Sequence, residues 1–353
     1  MKLFLVGLGI LALVAGLSLF VFFSPSSSST VPVNPQGEDQ IIIGFLMASN
    51  SGAIERWIKD RDFFISRAKE LGAKVIVFDA GTDADLQMNQ AENLILQGVD
   101  VLVVVAQDAN KASLIVDKAH AAGIKVIAYD RFITNPTLDF YVSFDNVKVG
   151  ESQAQGVINV VPKGKFAYVG GSESDTNAFL VKEGSFKVLQ PLIDSGDVEI
   201  VFNEFTEDWK QEVAYTNMKQ FLGGGGTVDA VIAANDSTAV GVIKALEEVG
   251  LAGTVPVSGQ DASLAAVQFI VSGKQTVTIY KPIKELAFKS AEIAVAVARR
   301  EAVNSNTKII NGIGFTPAYL LDVISVTKEN ISQTVIKDGF LTQEEIYSNR
   351  PVY

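Results

Sequence analysis

Short apolar runs alternate with longer segments of helical periodicity, and this alternation constrains the fold more than any other feature of the chain. The run at 41–46 is uninterrupted, as a strand buried on both faces requires. A helical pattern at 54–71 follows it and is closed by Gly72, a residue that readily adopts the left-handed conformation of helix ends. Three more apolar runs continue the series: 74–78, 99–105 and 124–129. This order predicts an α/β fold with a parallel, doubly wound sheet.

A second set of alternating strands and helices begins near Asn146. With 353 residues, the chain is long enough for two such domains. The two halves therefore form an architectural repeat, although no sequence identity between them is visible. The glycine-rich segments 170–171 and 223–226 lack the Lys-Ser/Thr partner of a phosphate loop, and we interpret them as tight turns.

The first 37 residues differ in composition from the rest. Residues 3–23 contain no charged side chain, and their length at the helical rise matches the roughly 30 Å apolar thickness of a bilayer. We interpret 1–23 as a transmembrane anchor, with a cleaved signal peptide as the alternative, although Phe22-Phe23-Ser24-Pro25 offers no small-x-small cleavage site. The Ser/Pro-rich segment 24–37 is typical of a linker. Either interpretation places the body outside the cytoplasm, at the cell surface or in the periplasm.

Charge and residue usage exclude several classes of protein. The chain has 40 acidic and 29 basic side chains and a formal charge of −11, whereas a nucleic-acid-binding protein needs a basic face. Cysteine is absent, which excludes disulfides, thiol catalysis and cysteine-bound zinc. His120 is the single histidine, so Ser-His-Asp triads and histidine-bound metals are nearly excluded. We therefore expect no cofactor, no metal and no nucleic-acid partner.

Polar residues follow the apolar runs where the predicted strands end. Ligands of open parallel sheets bind beyond the carboxyl ends of the strands, although a single Asp or Asn there is commonly just a helix cap. Three carboxylates among these residues balance three cations, and such a paired cluster can be buried and can bind hydroxyl groups. The candidates are Arg56, Asp130, Arg131, Asp175, Asn177, Asn235, Asp261 and Lys281.

Trp57 and Trp209, the two tryptophans of the chain, lie near these polar segments in the sequence. Core packing is one interpretation of each, and a flat apolar surface for the C–H face of a sugar ring is the other. Together with the charged residues, they predict a site for a polyol or monosaccharide.

The motifs around these positions resemble the periplasmic-binding-protein type I family, and within it the xylose-binding proteins of bacterial ABC transporters. The resemblance covers about residues 40–341. The matching motifs are Glu55-Arg56-Trp57, Lys59-Asp60-Arg61-Asp62, Tyr129-Asp130-Arg131, Ser143-Phe144-Asp145-Asn146, Gly170-Gly171-Ser172, Asn235-Asp236, Gly259-Gln260-Asp261, Tyr280-Lys281-Pro282 and Ile336-Lys337-Asp338-Gly339-Phe340. The resemblance implies two Rossmann-like lobes, joined by three hinge crossings, that close on D-xylose or a related aldose. It also implies a permease partner, a monomer and no enzymatic activity.

Residue by residue, the resemblance implies that the eight polar candidates contact the sugar. It also implies that Trp57 and Trp209 occupy the family's aromatic positions. The segment Ser49-Asn50-Ser51-Gly52, at the expected mouth of the site, departs from the family pattern, as does the anchor. We expect hinges near Asn146, Lys281 and Ile313. The expected N-terminal lobe is 38–146 with 282–313, and the expected C-terminal lobe is 147–281 with 314–347.

Other functions remain open at this point. One is a glycoside-processing enzyme outside the cytoplasm, which needs an acid and a nucleophile or base across the scissile bond, whereas the carboxylates here alternate with cations. Another is a sugar sensor that presents its ligand to a receptor. A repressor with the same core fold would need an N-terminal helix-turn-helix, where this chain has its apolar segment.

Overall fold

The predicted alternation of strands and helices is present in residues 40–49 and 54–348, which the structure, a computed structural model, describes. The first apolar run forms a strand whose last five residues are buried, and the following helical pattern forms a helix of 17 residues. The predicted anchor or signal segment 1–23 and linker 24–37 lie outside the described residues. None of the helices in the described part of the chain has the length and apolar character needed to cross a membrane.

The described residues form thirteen strands and ten α-helices. The strands are β1 (Ile42–Met47), β2 (Lys74–Asp79), β3 (Val101–Val104), β4 (Lys125–Tyr129), β5 (Phe140–Phe144), β6 (Gly164–Val169), β7 (Val198–Glu204), β8 (Ala230–Ala233), β9 (Ser258–Gln260), β10 (Val277–Tyr280), β11 (Thr307–Asn311), β12 (Gly314–Leu321) and β13 (Ile324–Val326). The helices are α1 (Ile54–Glu70), α2 (Ala84–Leu96), α3 (Ser113–Ala121), α4 (Asn146–Ile158), α5 (Thr176–Asp194), α6 (Gln211–Gly223), α7 (Asp236–Glu248), α8 (Leu264–Ser272), α9 (Ile283–Ala298) and α10 (Gln343–Tyr347).

Seven strands form the first sheet, in the order β11-β12-β5-β4-β3-β1-β2. All of its neighbouring strands are parallel except β11, which pairs antiparallel with β12. One face packs against α1 and α9, around Phe45, Phe64 and Leu286. The other face packs against α2 and α3, around Leu94 and Leu102. Helices on both faces confirm the doubly wound parallel sheet.

Two three-stranded sheets, β7-β6-β8 and β13-β10-β9, make up the second half, and a bridge between Val231 and Val257 links them. Side chains of β6 alternate between two cores, since Phe166 packs in one and Ala167 in the other. On the first of these faces α4 crosses α5 closely, because a Cβ at Gly150 would lie 1.9 Å from the carbonyl oxygen of Val181. This contact sets the position of α5, whose first turn borders the cavity described below.

The chain passes three times between the seven-stranded sheet and the other sheets: between β5 and α4, between β10 and α9, and between β12 and β13. The expected crossing near Ile313 is wrong, because Ala318–Leu321 pair with Tyr141–Phe144 of the first sheet. Gly312, at φ +61°, instead makes the turn of the β11–β12 hairpin. The third crossing follows Leu321, so 314–321 belongs with the first sheet and not with the second half.

Candidate functional site

The carboxyl ends of strands from both halves meet around one cavity. Asp130 and Arg131 follow β4, and Asp261 and Lys281 follow β9 and β10. Asp175 and Asn235 follow β6 and β8 as the N-cap residues of α5 and α7. The interpretation of these residues as helix caps and their interpretation as site residues are therefore compatible.

All ten residues selected from the sequence line this cavity, which is partly open to solvent. Gln260, which was not among the candidates, lines it as well. The full lining is Arg56, Trp57, Asp130, Arg131, Asp175, Asn177, Trp209, Asn235, Gln260, Asp261 and Lys281.

Arg56 lies at the centre of the charge network. Its guanidinium hydrogen-bonds to the carboxylate of Asp130 and contacts Asp261, with 3.4 Å between Nη1 and Oδ1. Its Nε donates to Oδ2 of Asp60 at 3.2 Å. Burial disfavours the charged form, but the three carboxylates outweigh it and raise the pKa of Arg56 well above its usual value. The cation is thus permanent, and it joins carboxylates from both halves of the molecule.

Asp60 supports Arg56 from behind the cavity and was not among the predicted site residues. It is fully buried, and the hydroxyl of Tyr129 donates to its Oδ1. Burial raises the pKa of Asp60 to about 7, although the positive charge of Arg56 opposes the shift. A charged residue in a helix is expected on the solvated face, so helical periodicity alone did not indicate this role.

Asp130 is held by donors around its backbone and its side chain. Its carbonyl oxygen accepts from the hydroxyls of Tyr141 and Ser143, at 2.9 and 2.8 Å. Asn177, from the second half, donates to Oδ1 at 3.3 Å. Burial would raise the pKa of Asp130, but Arg56 and Lys281 outweigh burial and hold it below the usual value. Asp130 is therefore an ionised acceptor.

Asp175 pairs with a cation of the first half. Its Oδ2 lies 3.2 Å from Nε of Arg131 and accepts from Nε1 of Trp209, also at 3.2 Å. Its Oδ1 accepts from the backbone N–H of Asn177 at 2.9 Å. Burial raises the pKa of Asp175 despite the charge of Arg131. Both oxygens are nevertheless occupied by donors, an arrangement that suits a carboxylate.

The third ion pair joins Lys281 to Asp261, with 2.8 Å between Nζ and Oδ1. Beside it, Asp236 accepts from the backbone N–H of Ser263 at 2.7 Å and from the hydroxyl of Thr278 at 2.8 Å. Burial, together with the negative charge of Asp261, raises the pKa of Asp236 to about 7. The cavity itself thus holds three carboxylates and three cations, as the sequence predicted.

The two tryptophan rings pack against different partners. The guanidinium carbons of Arg56 and Arg131 lie over the Trp57 ring, 4.5 and 5.4 Å from its centroid. Trp209 packs onto Gly171, where a Cβ would lie 2.2 Å from the ring. Both rings are buried among apolar side chains and also line the cavity, so core packing and cavity lining apply together.

Three residues of the site have left-handed backbone conformations: Asp130 at φ +60°, Trp209 at +59° and Asp261 at +93°. Such conformations cost about 1–3 kcal/mol each in non-glycine residues and gather at functional sites. Hydrogen bonds hold them, including those from the N–H of Asp130 to Val142 and from that of Asp261 to Ile279, both at 2.8 Å. The conformations turn the side chains of strand-end residues into the cavity.

Gln260 and Asn235 add neutral polar groups to the lining. Oε1 of Gln260 is buried and has no hydrogen-bond partner among the described residues. Asn235 uses its Oδ1 to accept from the N–H of Thr238 at 2.9 Å. The described residues contain no group of three or more acidic or histidine side chains that could hold a metal ion. The arrangement is suited to a neutral ligand with several hydroxyl groups.

The fold is that of a binding protein with two halves of α/β structure, and residues of both halves line the cavity. Residues 43–302 match the periplasmic binding protein domain, and the chain belongs to this family. It is 50% identical over 295 residues to the D-xylose-binding periplasmic protein of Haemophilus influenzae, which covers 83% of this chain and 89% of that protein. It is 46% identical over 301 residues to the D-xylose-binding periplasmic protein of Escherichia coli K12, covering 85% and 91%. The resemblance inferred from the motifs is thus confirmed.

Solved structures of solute binding proteins have a similar fold. An ABC transporter solute binding protein from Clostridium phytofermentans with bound β-D-glucose superposes with a TM-score of 0.79 at 28% identity, covering 86% of this chain and 99% of that one. A carbohydrate transporter solute binding protein from Chloroflexus aurantiacus in complex with D-glucose gives 0.78 at 28% identity, covering 87% and 98%.

Proposed function

We propose that this chain is the extracytoplasmic substrate-binding protein of an ABC sugar importer and that it binds D-xylose or a closely related monosaccharide. The observation that carries the proposal is the single cavity lined by all ten residues selected from the sequence. The names of the Haemophilus influenzae and Escherichia coli relatives support D-xylose as the ligand.

The chemistry of the cavity suits an uncharged sugar. Carboxylates accept from hydroxyl groups and cations donate to them, and such charge-assisted bonds are stronger than neutral ones. Because the three acidic and three basic side chains balance, a neutral ligand completes the network without adding a net buried charge. Trp57 and Trp209 add apolar surface for the C–H groups of the ring.

Binding proceeds by closure of two lobes about the three crossings. We place one lobe at 38–146 with 282–321 and the other at 147–281 with 322–347. The ion pairs Arg56–Asp261 and Arg131–Asp175, at 3.4 and 3.2 Å, join residues of opposite lobes. A ligand that contacts both sides favours the closed arrangement by its differential affinity for it.

The protein acts in transport rather than in catalysis. A glycosidase needs one carboxyl group free to act as an acid and another as a nucleophile or base. Here Asp130, Asp175 and Asp261 are each paired with a cation, so none of the three is free for these roles. The family-level similarity to sugar-binding transport proteins supports the same conclusion.

Outside the cytoplasm, the chain is held at the membrane by the uncharged run 3–23 and works as a monomer with an ABC permease as its partner. One chain carries a complete cavity, which supports the monomeric state. Intact mass measurement of the native protein tests the anchor, since a chain that begins near residue 25 would show that the segment is cleaved.

Calorimetric titration of the detergent-solubilised full chain with D-xylose, D-glucose, D-ribose and L-arabinose tests the function. We expect D-xylose to bind with the highest affinity of the four. Absence of binding heat for every sugar would contradict the proposal. Incubation with aryl xylosides should release no phenol, and turnover above the uncatalysed rate would favour the glycosidase alternative.

A further inference from the structure

The edge of the seven-stranded sheet at which its parallel strands begin carries an apolar hairpin turn. β12 pairs with β5 from Ala318 onward, so the turn between β11 and β12 extends past the start of β5 to the level at which β1, β3 and β4 begin. Ile310 and Phe315 lie opposite each other in this hairpin and are 72% and 65% exposed, and Ile313 at the turn is fully exposed. Exposed apolar side chains concentrated at one point mark an interaction surface.

The same edge is rich in basic side chains, although the whole chain has a formal charge of −11. The exposed cations come from the ends of α1 and α9, the start of β2 and the hairpin itself. They are Lys69, Lys74, Arg299, Arg300 and Lys308.

Acidic side chains at this edge offset these cations only in part. Glu70 pairs with Arg67, and Asp139 pairs with Lys125. Asp100 accepts from the backbone N–H of Ile42 at 2.7 Å, and Glu301 also lies here. We name the exposed hairpin residues Ile310, Ile313 and Phe315, together with the five exposed cations, the basal surface.

The chain also enters the fold at the basal surface. β1 is parallel to β2 and β3, so its first residue, Ile42, lies at the edge where these strands begin. The residues that precede it include the uncharged run 3–23. The cavity lies at the opposite, carboxyl ends of the strands. The point of chain entry, the apolar hairpin and the excess of cations therefore share one edge.

We propose that the basal surface docks on an anionic lipid bilayer, with the hairpin tip at the level of the headgroups and the cations against acidic lipids. Apolar side chains combined with basic ones are the features that bind peripheral proteins to such membranes. The proposal builds on the membrane attachment proposed above and adds an orientation of the body.

Depth-dependent quenching in vesicles tests the orientation with the full chain. Ile313→Trp places a reporter at the hairpin tip, and Val249→Trp is a matched control at an exposed position after α7. Each variant is reconstituted into phosphatidylglycerol-containing vesicles with and without brominated lipid, and Trp57 and Trp209 give a common buried background. We expect at least threefold more quenching of the added fluorescence for Ile313→Trp than for Val249→Trp. Adding Arg300→Glu and Lys308→Glu to the Ile313→Trp variant should lower the quenching of its added fluorescence at least twofold.

Flotation of the same vesicles tests separately whether the chain is attached to the membrane at all. Chains that float while both reporters are quenched equally would overturn the basal surface and leave the anchor intact. Chains that do not float would overturn both. A blue shift of Ile313→Trp that grows with protein concentration, without quenching, would assign the surface to a second copy. Retained sugar-binding heat verifies that each variant is folded.

Discussion

Arg56 and Asp60 lie one helical turn apart in α1, and Asp60 holds the Nε side of the Arg56 guanidinium at 3.2 Å. The hydroxyl of Tyr129 occupies the other oxygen of Asp60. The two terminal nitrogens of Arg56 are thereby directed at Asp130 and Asp261. Asp60 is a positioning residue, because it orients a cavity side chain without lining the cavity itself.

Asp60→Asn should weaken sugar binding about tenfold or more, because a charge-assisted hydrogen bond worth about 1.5–3 kcal/mol is lost. Calorimetry measures the effect, and Asp62→Asn, an exposed neighbour in the same helix, is the control with unchanged affinity. In an Arg56→Lys background, which removes the Nε donor, Asp60→Asn should have a clearly smaller effect. Equal effects in both backgrounds would contradict the positioning role.

Asp130→Ala and Asp261→Ala should each reduce affinity for D-xylose roughly 30-fold or more. Each removes a ligand acceptor and takes one partner from a buried cation, Arg56 or Lys281, at a cost of about 2–5 kcal/mol. The fold should persist, because both residues border the cavity rather than a core. Asp194→Ala, at the exposed end of α5, serves as the matched control. Parent-like affinity in Asp261→Ala would show that the site assignment is wrong.

Much of this site was predictable because parallel strands bring their carboxyl ends together. Asp130, Asp175 and Asp261 all follow apolar runs, so their convergence required only the sheet type. The third crossing was misplaced because the sequence does not show which strands pair. Gly312, at φ +61°, makes the turn of a hairpin, and the pairing of β12 with β5 keeps the chain in the first sheet as far as Leu321.

The residues missed by the sequence analysis lack a pattern of their own. Asp60 has the sequence context of a solvated helical face and is buried only because Tyr129 and Arg56 meet there. Gln260 is neutral and lies within a short strand, so it contributed nothing to the charge balance. The left-handed backbone of Asp130 and Asp261 depends on hydrogen bonds that their N–H groups donate to Val142 and Ile279 in neighbouring strands, which the local sequence does not encode.

Gln260→Leu should lower affinity for D-xylose about three- to tenfold, which corresponds to one neutral hydrogen bond. Oε1 of Gln260 has no partner among the described residues, so a ligand hydroxyl is its natural donor. Titrations with D-xylose measure the change, and Gln190→Leu on the exposed face of α5 is the control. Unchanged affinity in Gln260→Leu would remove this residue from the site.

Saturating sugar should make the body more compact, because the closed arrangement brings Arg131 and Asp175 together across the lobes. Small-angle scattering of the detergent-solubilised chain, with the detergent matched out by contrast, measures the radius of gyration with and without D-xylose. Asp261→Ala, at the same sugar concentration, should show a smaller decrease. Identical radii for the free and the saturated parent chain would rule out closure on ligand.

Asp236 should make the protein less stable as the pH rises from 5 to 8. Burial raises the pKa of Asp236 to about 7, whereas in an unfolded chain an Asp has a pKa of about 4. Between these values the folded state binds a proton that the unfolded state lacks. The stability that this proton contributes is complete below about pH 4 and is lost as the pH rises through about 7.

In the Asp236→Asn variant this side chain cannot titrate. Between pH 5 and pH 8, the free energy of unfolding of the variant should therefore fall by about 2–3 kcal/mol less than that of the parent. Burial also raises the pKa of Asp60 to about 7, and the slope that remains in the variant should come from that residue. Urea unfolding at both pH values measures the difference, with the exposed Asp62→Asn as the control that keeps the parental slope. A slope in Asp236→Asn equal to that of the parent would mean that Asp236 is already ionised in the folded protein at pH 5.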